Sequence, residues 1–312
     1  MKEAPGGRLR LGLLALLLLG GTGLIALLWQ GRPTPPLETS LATPFQLLGT
    51  PGHLVDRLAN RVLPVGDLDE EALGQTLHRR YESQLRPGDP DQPYLDQLIE
   101  GLRPGTRRPF TYRAYAIGDC GAANARALPG GVILVCRELF SLLDSEAALV
   151  AVLAHEIGHV ELGHCFAHVR FELLSRRLGP RSLGQLADAA VRVVLQQPYS
   201  KAAEHEADDH AYTVLLASRY DPAAQGQAFA AFNRAYGSGR RRADLILDGL
   251  ASHPPGALRE AEYSQRAEAW WRRHRGERRY RGRRNLEKRR SLTAWERPEE
   301  WVRNGGTTQA TR

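Results

Sequence analysis

Cysteine is scarce in this chain. Three residues in 312, Cys120, Cys136 and Cys165, are too few for a disulfide-built scaffold and have the wrong spacing for a cysteine-rich zinc knuckle. The odd number leaves at least one thiol unpaired within a monomer. Cys120 and Cys136 flank an expected hairpin, and the sequence fits either a disulfide between them in an oxidising compartment or two free buried thiols. No internal repeat is visible, which argues against a solenoid or propeller. The one strongly basic stretch lacks aromatic interleaving. Residues 266–290 hold twelve Arg and Lys against three Glu, a net +9 within a chain of net +7. Trp270-Trp271 alone is too little for a base-stacking platform, so nucleic-acid binding is not expected. The stretch reads as a solvated, salt-bridged helix running into disorder, with contact to anionic lipid headgroups as its second use.

What is present at the N-terminus is a long apolar run. Leu9 to Trp29 has no charge after Arg10 and is long enough to span a membrane. Lys2, Arg8 and Arg10 precede it, which places the N-terminus in the cytoplasm and the remainder outside, with Trp29 at the far interface. No small-x-small cleavage site is evident, so residues 1–30 are expected to be an uncleaved anchor; a cleaved signal and secretion is the rival. No Cys follows the run, which argues against a lipoprotein. Residues 31–44 form a Pro-rich linker, 45–260 the main domain and 261–312 an Arg-rich helical or disordered tail.

Within the main domain the spacing predicts helices over Leu68 to Leu85 and Tyr94 to Leu102, separated by Pro87, Pro90 and Pro93. Thr111 to Ile117 reads as a strand. Ala123 to Leu128 and Val132 to Cys136 form a hairpin around Pro129-Gly130-Gly131. Asp144 and Ser145 are N-cap candidates for a helical pattern from Glu146 to about Leu174, with Gly158 and Gly163 as points where it bends or ends. Further helices are expected at Leu183 to Gln196, Lys201 to Ser218 and Ala223 to Tyr236. The fold class is α+β, mostly helical with one small sheet.

The chemistry sits in His155-Glu156-Ile157-Gly158-His159. Positions i and i+4 share a helix face, so both imidazoles reach one metal ion, with Glu156 able to act on a water at that ion. A third ligand is needed. The extended His-Glu-x-x-His-x-x-Gly-x-x-His pattern fails by one place, because Leu162 and Cys165 stand where Gly and His are required. His164 falls on the opposite side of an unbroken helix unless Gly163 bends it, and His168 is worse placed. The other candidate is Glu204, four residues before Asp208 on the same face of a later helix, while Glu206 points elsewhere. Asp208 is then placed to accept the N–H of a ligating histidine.

These residues resemble a family: the gluzincin zinc metallopeptidases that include HtpX, the CAAX prenyl protease and the BepA-like periplasmic proteases. Their His-Glu-x-x-His and Glu-x-x-x-Asp signature matches His155, Glu156, His159, Glu204 and Asp208. Asn124-Ala125 through Gly131 resembles the strand and turn before the active helix. Ser145 to His159 resembles the start of that helix, and Ser252-His253-Pro254 with Arg259 the late His-Pro motif. A single apolar run favours the soluble or single-anchor branch.

The resemblance implies a gluzincin domain with its sheet beside the His-Glu-x-x-His helix. It implies one zinc ion per chain held by His155, His159 and Glu204, with Glu156 as general base and Asp208 and Arg259 as supports. Asn124 and Ala125 would hold substrate as an added strand, and His253 would stabilise the oxyanion or plug the zinc. It implies protein or peptide substrates, in particular misfolded or unassembled envelope proteins, cleaved outside the cytoplasm. The runner-up is a latent or non-catalytic zinc-fold chaperone.

Overall fold

One helix is apolar almost all the way round and is therefore surrounded. The computed structural model describes residues 67–118, 120–167, 169, 183–196, 198–236 and 256–303. In chain order the helices are α1 (Asp67–Glu82), α2 (Asp91–Leu102), α3 (Leu139–Leu142), α4 (Glu146–Glu161), α5 (Leu183–Gln196), α6 (Lys201–Ala217), α7 (Ala224–Tyr236), α8 (Ala257–Arg273) and α9 (Arg283–Lys288). The strands are β1 (Arg113–Ile117), β2 (Ala125–Ala127), β3 (Val132–Cys136), β4 (Arg279–Tyr280) and β5 (Trp301–Val302). Helix α4, with its run Ala-Ala-Leu-Val-Ala-Val-Leu-Ala, buries every residue from Glu146 to Val160 except Val152. Ser145 caps it, accepting from the Ala148 N–H at 3.2 Å, a contact of the kind that contributes about 1 kcal/mol.

The main sheet has the order β1-β3-β2, with β1 parallel and β2 antiparallel to β3. The β2–β3 hairpin matches the expectation; the parallel partner β1 is a pairing that local pattern does not specify. Strand β3 reads Val-Ile-Leu-Val-Cys and is buried on both faces. Ile133 and Val135 join the core shared with α2 and α4, while Val132 and Leu134 join a second core with Leu73 and Leu77 of α1 and Ala190 and Val194 of α5. The hairpin turn meets α1 backbone to backbone: a Cβ on Gly130, whose φ is +76°, would lie 2.4 Å from Gly74 Cα. Cys120 and Cys136 form a disulfide, the first of the two alternatives left open by the sequence, and Cys165 is free and buried.

The Arg-rich C-terminal stretch begins in the helix expected of it but is not the solvated tail expected: the part described, through residue 303, packs on the rest of the domain. Helix α8 buries Tyr263, Ala267 and Trp271, spaced four apart, and packs on α7. Beyond it Tyr280, Leu286 and Leu292 are buried and β4 pairs with β5. The physical reason is that this segment finishes α4. The first N–H groups of a helix have no partner within it, and here Glu146 N–H donates to Gly282 O and Ala147 N–H to Arg281 O, both at 3.0 Å. Buried Asp221 receives Trp271 Nε1 and Arg281 Nε, each at 3.0 Å. Among the described residues no helix is long and apolar enough to cross a membrane; the expected anchor of residues 1–30 and the linker lie outside them.

The carboxyl of Glu146 links the two parts. It accepts from Tyr220 Oη at 2.7 Å and from Leu292 N–H at 2.8 Å, and its burial pushes it up to about 7. The folded chain therefore holds this proton where the unfolded chain has lost it. The resulting stability is fully present below the ordinary Glu range and is lost as pH rises through about 7. The unfolding temperature of the wild type should fall more steeply between about pH 4.5 and 7 than that of Glu146→Gln; parallel pH profiles would remove Glu146 as the cause.

Candidate active site

Three elements bring the motif residues together. Helix α4 carries His155, Glu156 and His159 on its buried length. Helix α6 begins at Ser200, whose hydroxyl accepts from Ala203 N–H at 3.1 Å, and one turn later turns Glu204 and Asp208 toward α4. The two helices cross closely at Gly158, where a Cβ would stand 3.1 Å from both Cβ and Nδ1 of His210; that His210 Nδ1 donates to Ala154 O at 3.2 Å. Strand β2 passes on the other side, and its Ala127 N–H donates to Glu156 Oε2 at 2.7 Å.

At the centre the imidazoles of His155 and His159 stand edge to face, with their Nε2 atoms 3.1 Å apart. Glu204 faces both: Oε1 lies 3.5 Å from His159 Nε2 and Oε2 lies 3.7 Å from His155 Nε2. All three donor atoms fall within 4.8 Å of one another. Tetrahedral zinc with bonds of about 2.0–2.1 Å sets its ligand atoms roughly 3.4 Å apart, so two imidazoles and a carboxylate at these separations fit that ion in both donor type and spacing. The same donors suit other borderline divalent metals. Cys165, near by in sequence, is occupied elsewhere: its Sγ lies 3.6 Å from Ala127 O and accepts from Tyr199 Oη at 3.2 Å, and burial pushes the thiol up to about 12.

Around the three donors lies a hydrogen-bonded frame. Asp208 accepts from His155 Nδ1 at 2.9 Å, which leaves the opposite nitrogen, Nε2, facing Glu204. Arg259, in the first turn of α8, donates to both oxygens of Asp208 (Nε at 2.7 Å, Nη2 at 2.6 Å) and reaches Glu204 Oε2 from Nη1 at 3.1 Å. Its guanidinium lies 4.5 Å from the Phe229 ring centre. Gln225 of α7 donates to Asp208 O at 2.9 Å. Burial opposes ionisation of both His155 and Asp208, but their contact outweighs it. With Arg259 beside it, Asp208 is held below the usual carboxylate range, and His155 is held above the usual imidazole value.

The structure therefore sets His155, Glu156, His159, Glu204, Asp208 and Arg259 in one cluster. Asn124 and Ala125 line the adjoining cavity with Ala151, Val152, Phe229 and Phe232. His253 and His168 lie outside the described residues. His164 lies elsewhere than an unbroken helix would put it: α4 ends at Glu161, Gly163 turns the chain at φ +75°, and His164 Nδ1 comes to 3.0 Å from His159 Nδ1. Sequence reasoning passed over Tyr199, which stacks on the His159 ring at 3.9 Å between centroids and donates to Cys165 Sγ at 3.2 Å. Gln225 was passed over too. Neither has a spacing to the motif that marks it.

The profile of peptidase family M48 matches residues 90–267. The chain is 27% identical over 146 residues to the mitochondrial metalloendopeptidase OMA1 of Arabidopsis thaliana, covering 46% of this chain and 29% of that protein. It is 29% identical over 121 residues to the metalloprotease YcaL of Escherichia coli strain K12, covering 34% of this chain and 44% of that one. With the metalloprotease LoiP of the same strain it shares 31% identity over 134 residues, covering 39% and 51%. The chain thus spans about half or less of the length of these relatives.

Gly158 offers a test of the α4–α6 crossing. Gly158→Ala adds a methyl against His210 and should lower unfolding stability by about 1–3 kcal/mol, as overpacking does. An unchanged denaturant midpoint would show that the helices are not in contact there.

Proposed function

The chain belongs to peptidase family M48, and from that premise we propose that it is a zinc-dependent endopeptidase with His155, His159 and Glu204 as metal ligands and Glu156 as general base. The observation that carries the reading is the convergence of those three donors within 4.8 Å beside a buried Glu156. Zinc bound there supplies Lewis acidity to a water and to the scissile carbonyl.

The remaining work falls to the chain's own groups. Glu156 is held in place by the Ala127 N–H, so its carboxylate is aimed before substrate arrives. It takes the proton from the attacking water and passes it to the leaving amine. Asp208, with Arg259 behind it, keeps His155 in one tautomer. Peptide placement follows from β2. Asn124 and Leu128 bond toward β3, so Ala125 and Ala127 turn their backbone groups the other way, toward the site. Ala127 N–H serves Glu156, and Ala125 is free in register to pair with an extended peptide, with Asn124 at the same end. The apolar side of the cavity, Ala151, Val152, Phe229 and Phe232, suits a hydrophobic substrate side chain. His253 enters the proposal as an oxyanion donor or a reversible plug.

We place this activity outside the cytoplasm, on a membrane, acting on misfolded or unassembled envelope proteins. The basic residues before the apolar run Leu9 to Trp29 support the orientation. The Cys120–Cys136 disulfide supports an oxidising compartment. Exposed arginines such as Arg272, Arg275, Arg283 and Arg284 are available to anionic lipid headgroups.

Glu156→Gln should reduce peptide hydrolysis by about 10²-fold or more while zinc content stays at the wild-type level. A variant that cleaves as the wild type does would end the general-base assignment.

A further inference from the structure

The two histidines of α4 are not held alike, and the difference assigns a role to a residue outside the motif. His155 is oriented by a carboxylate, Asp208, bound directly to its Nδ1. At the matching atom of His159 stands another imidazole, His164, with Nδ1 3.0 Å from Nδ1. On its far side His164 Nε2 lies 3.1 Å from Glu206 Oε2. We infer that His164, backed by Glu206, is a positioning residue that fixes the tautomer and ring setting of His159, as Asp208 does for His155. The inference rests on the metal-site reading above.

The direction of the relay follows from donor and acceptor chemistry. An ionised carboxylate only accepts, so His164 Nε2 carries the hydrogen toward Glu206. A neutral imidazole has one N–H, which leaves His164 Nδ1 as an acceptor. In the 3.0 Å contact His159 Nδ1 must then donate, and its Nε2 keeps a bare lone pair. That lone pair is the one facing His155 Nε2 at 3.1 Å and Glu204 Oε1 at 3.5 Å.

The backbone supports the same arrangement. Gly163 adopts a left-handed turn that brings His164 back beside the end of α4. Glu206 lies two residues from Glu204 on α6, so the face that leaves the metal donors carries the relay's far end. Tyr199 stacks on the His159 ring with only 15° between planes, which holds the ring against rotation while His164 fixes its hydrogen. One helix thus serves both metal histidines: Asp208 for one, and Glu206 through His164 for the other.

The test is zinc affinity of the full-length chain, stripped of metal and titrated against a competing chelator, with the visible spectrum of the cobalt-substituted protein as a second readout. His164→Ala should weaken zinc binding by about 10–100-fold and shift the cobalt bands, the usual loss when a ligand's outer partner is removed. His164→Asn puts an amide oxygen where Nδ1 stood and should restore affinity to within roughly threefold of wild type. Glu206→Ala, a half-exposed change that removes the acceptor, should cost about two- to tenfold. Wild-type affinity in His164→Ala overturns the inference, as does a folded His164→Asn as weak as His164→Ala, since the ring would then only fill space. If His164→Ala does not fold, Glu206→Ala decides, and wild-type affinity there overturns the relay. The metal reading itself fails in a different way: wild type would bind no stoichiometric zinc, or Glu204→Gln would bind it unchanged.

Discussion

The carboxylate of Asp208 is where three helices meet. It sits fully buried on α6, accepts from His155 of α4 and receives both arms of Arg259 from α8. A buried carboxylate with two cationic or polar donors is tolerable only while all of them stay; removing one partner of such a pair typically costs about 3–5 kcal/mol. The same contact sets which nitrogen of His155 faces Glu204. Stability and site geometry are therefore one constraint, and the close crossing at Gly158 lets α4 and α6 approach far enough to satisfy it.

The rest of the fold serves that joint. The hairpin edge at Ala127 aims Glu156, and the sheet that carries the edge is fixed by β3, sandwiched between two apolar cores. At the other end of α4 the C-terminal segment supplies the carbonyls of Arg281 and Gly282 to the first turn and packs Tyr280, Leu286 and Leu292 around Glu146. Its arginines are structural in good part. Arg281 pairs with Asp221, Arg289 with Asp91 across 198 residues, and Arg266 with Asp209. Aromatic faces take others, as Arg279 over Trp270 and Arg297 over Trp295.

That distribution explains what the sequence made legible. The α4 and α6 motifs were readable because helical periodicity puts i and i+4 on one face whatever the tertiary context, and the Ser145 cap and the hairpin turn at Gly130-Gly131 are equally local. The misses are non-local or depend on one backbone angle. The parallel pairing of β1 with β3 needs a partner from across the hairpin. Arg259 came in through the resemblance alone, because its grip on Asp208 spans 51 residues, and a charge run counted as net charge conceals that some of its arginines, Arg266, Arg281 and Arg289 among them, pair with distant acids. For His164 the sequence left two placements, an unbroken helix at 100° per residue or a bend at Gly163, and only the backbone angle there selects the bend.

The most direct measurement of the central claim is zinc K-edge X-ray absorption on the purified full chain. The account predicts one zinc per chain with nitrogen and oxygen donors at about 2.0–2.1 Å, including two imidazoles, and no sulfur. A sulfur shell near about 2.3 Å, or a chain that cleaves peptides without bound metal, would contradict it.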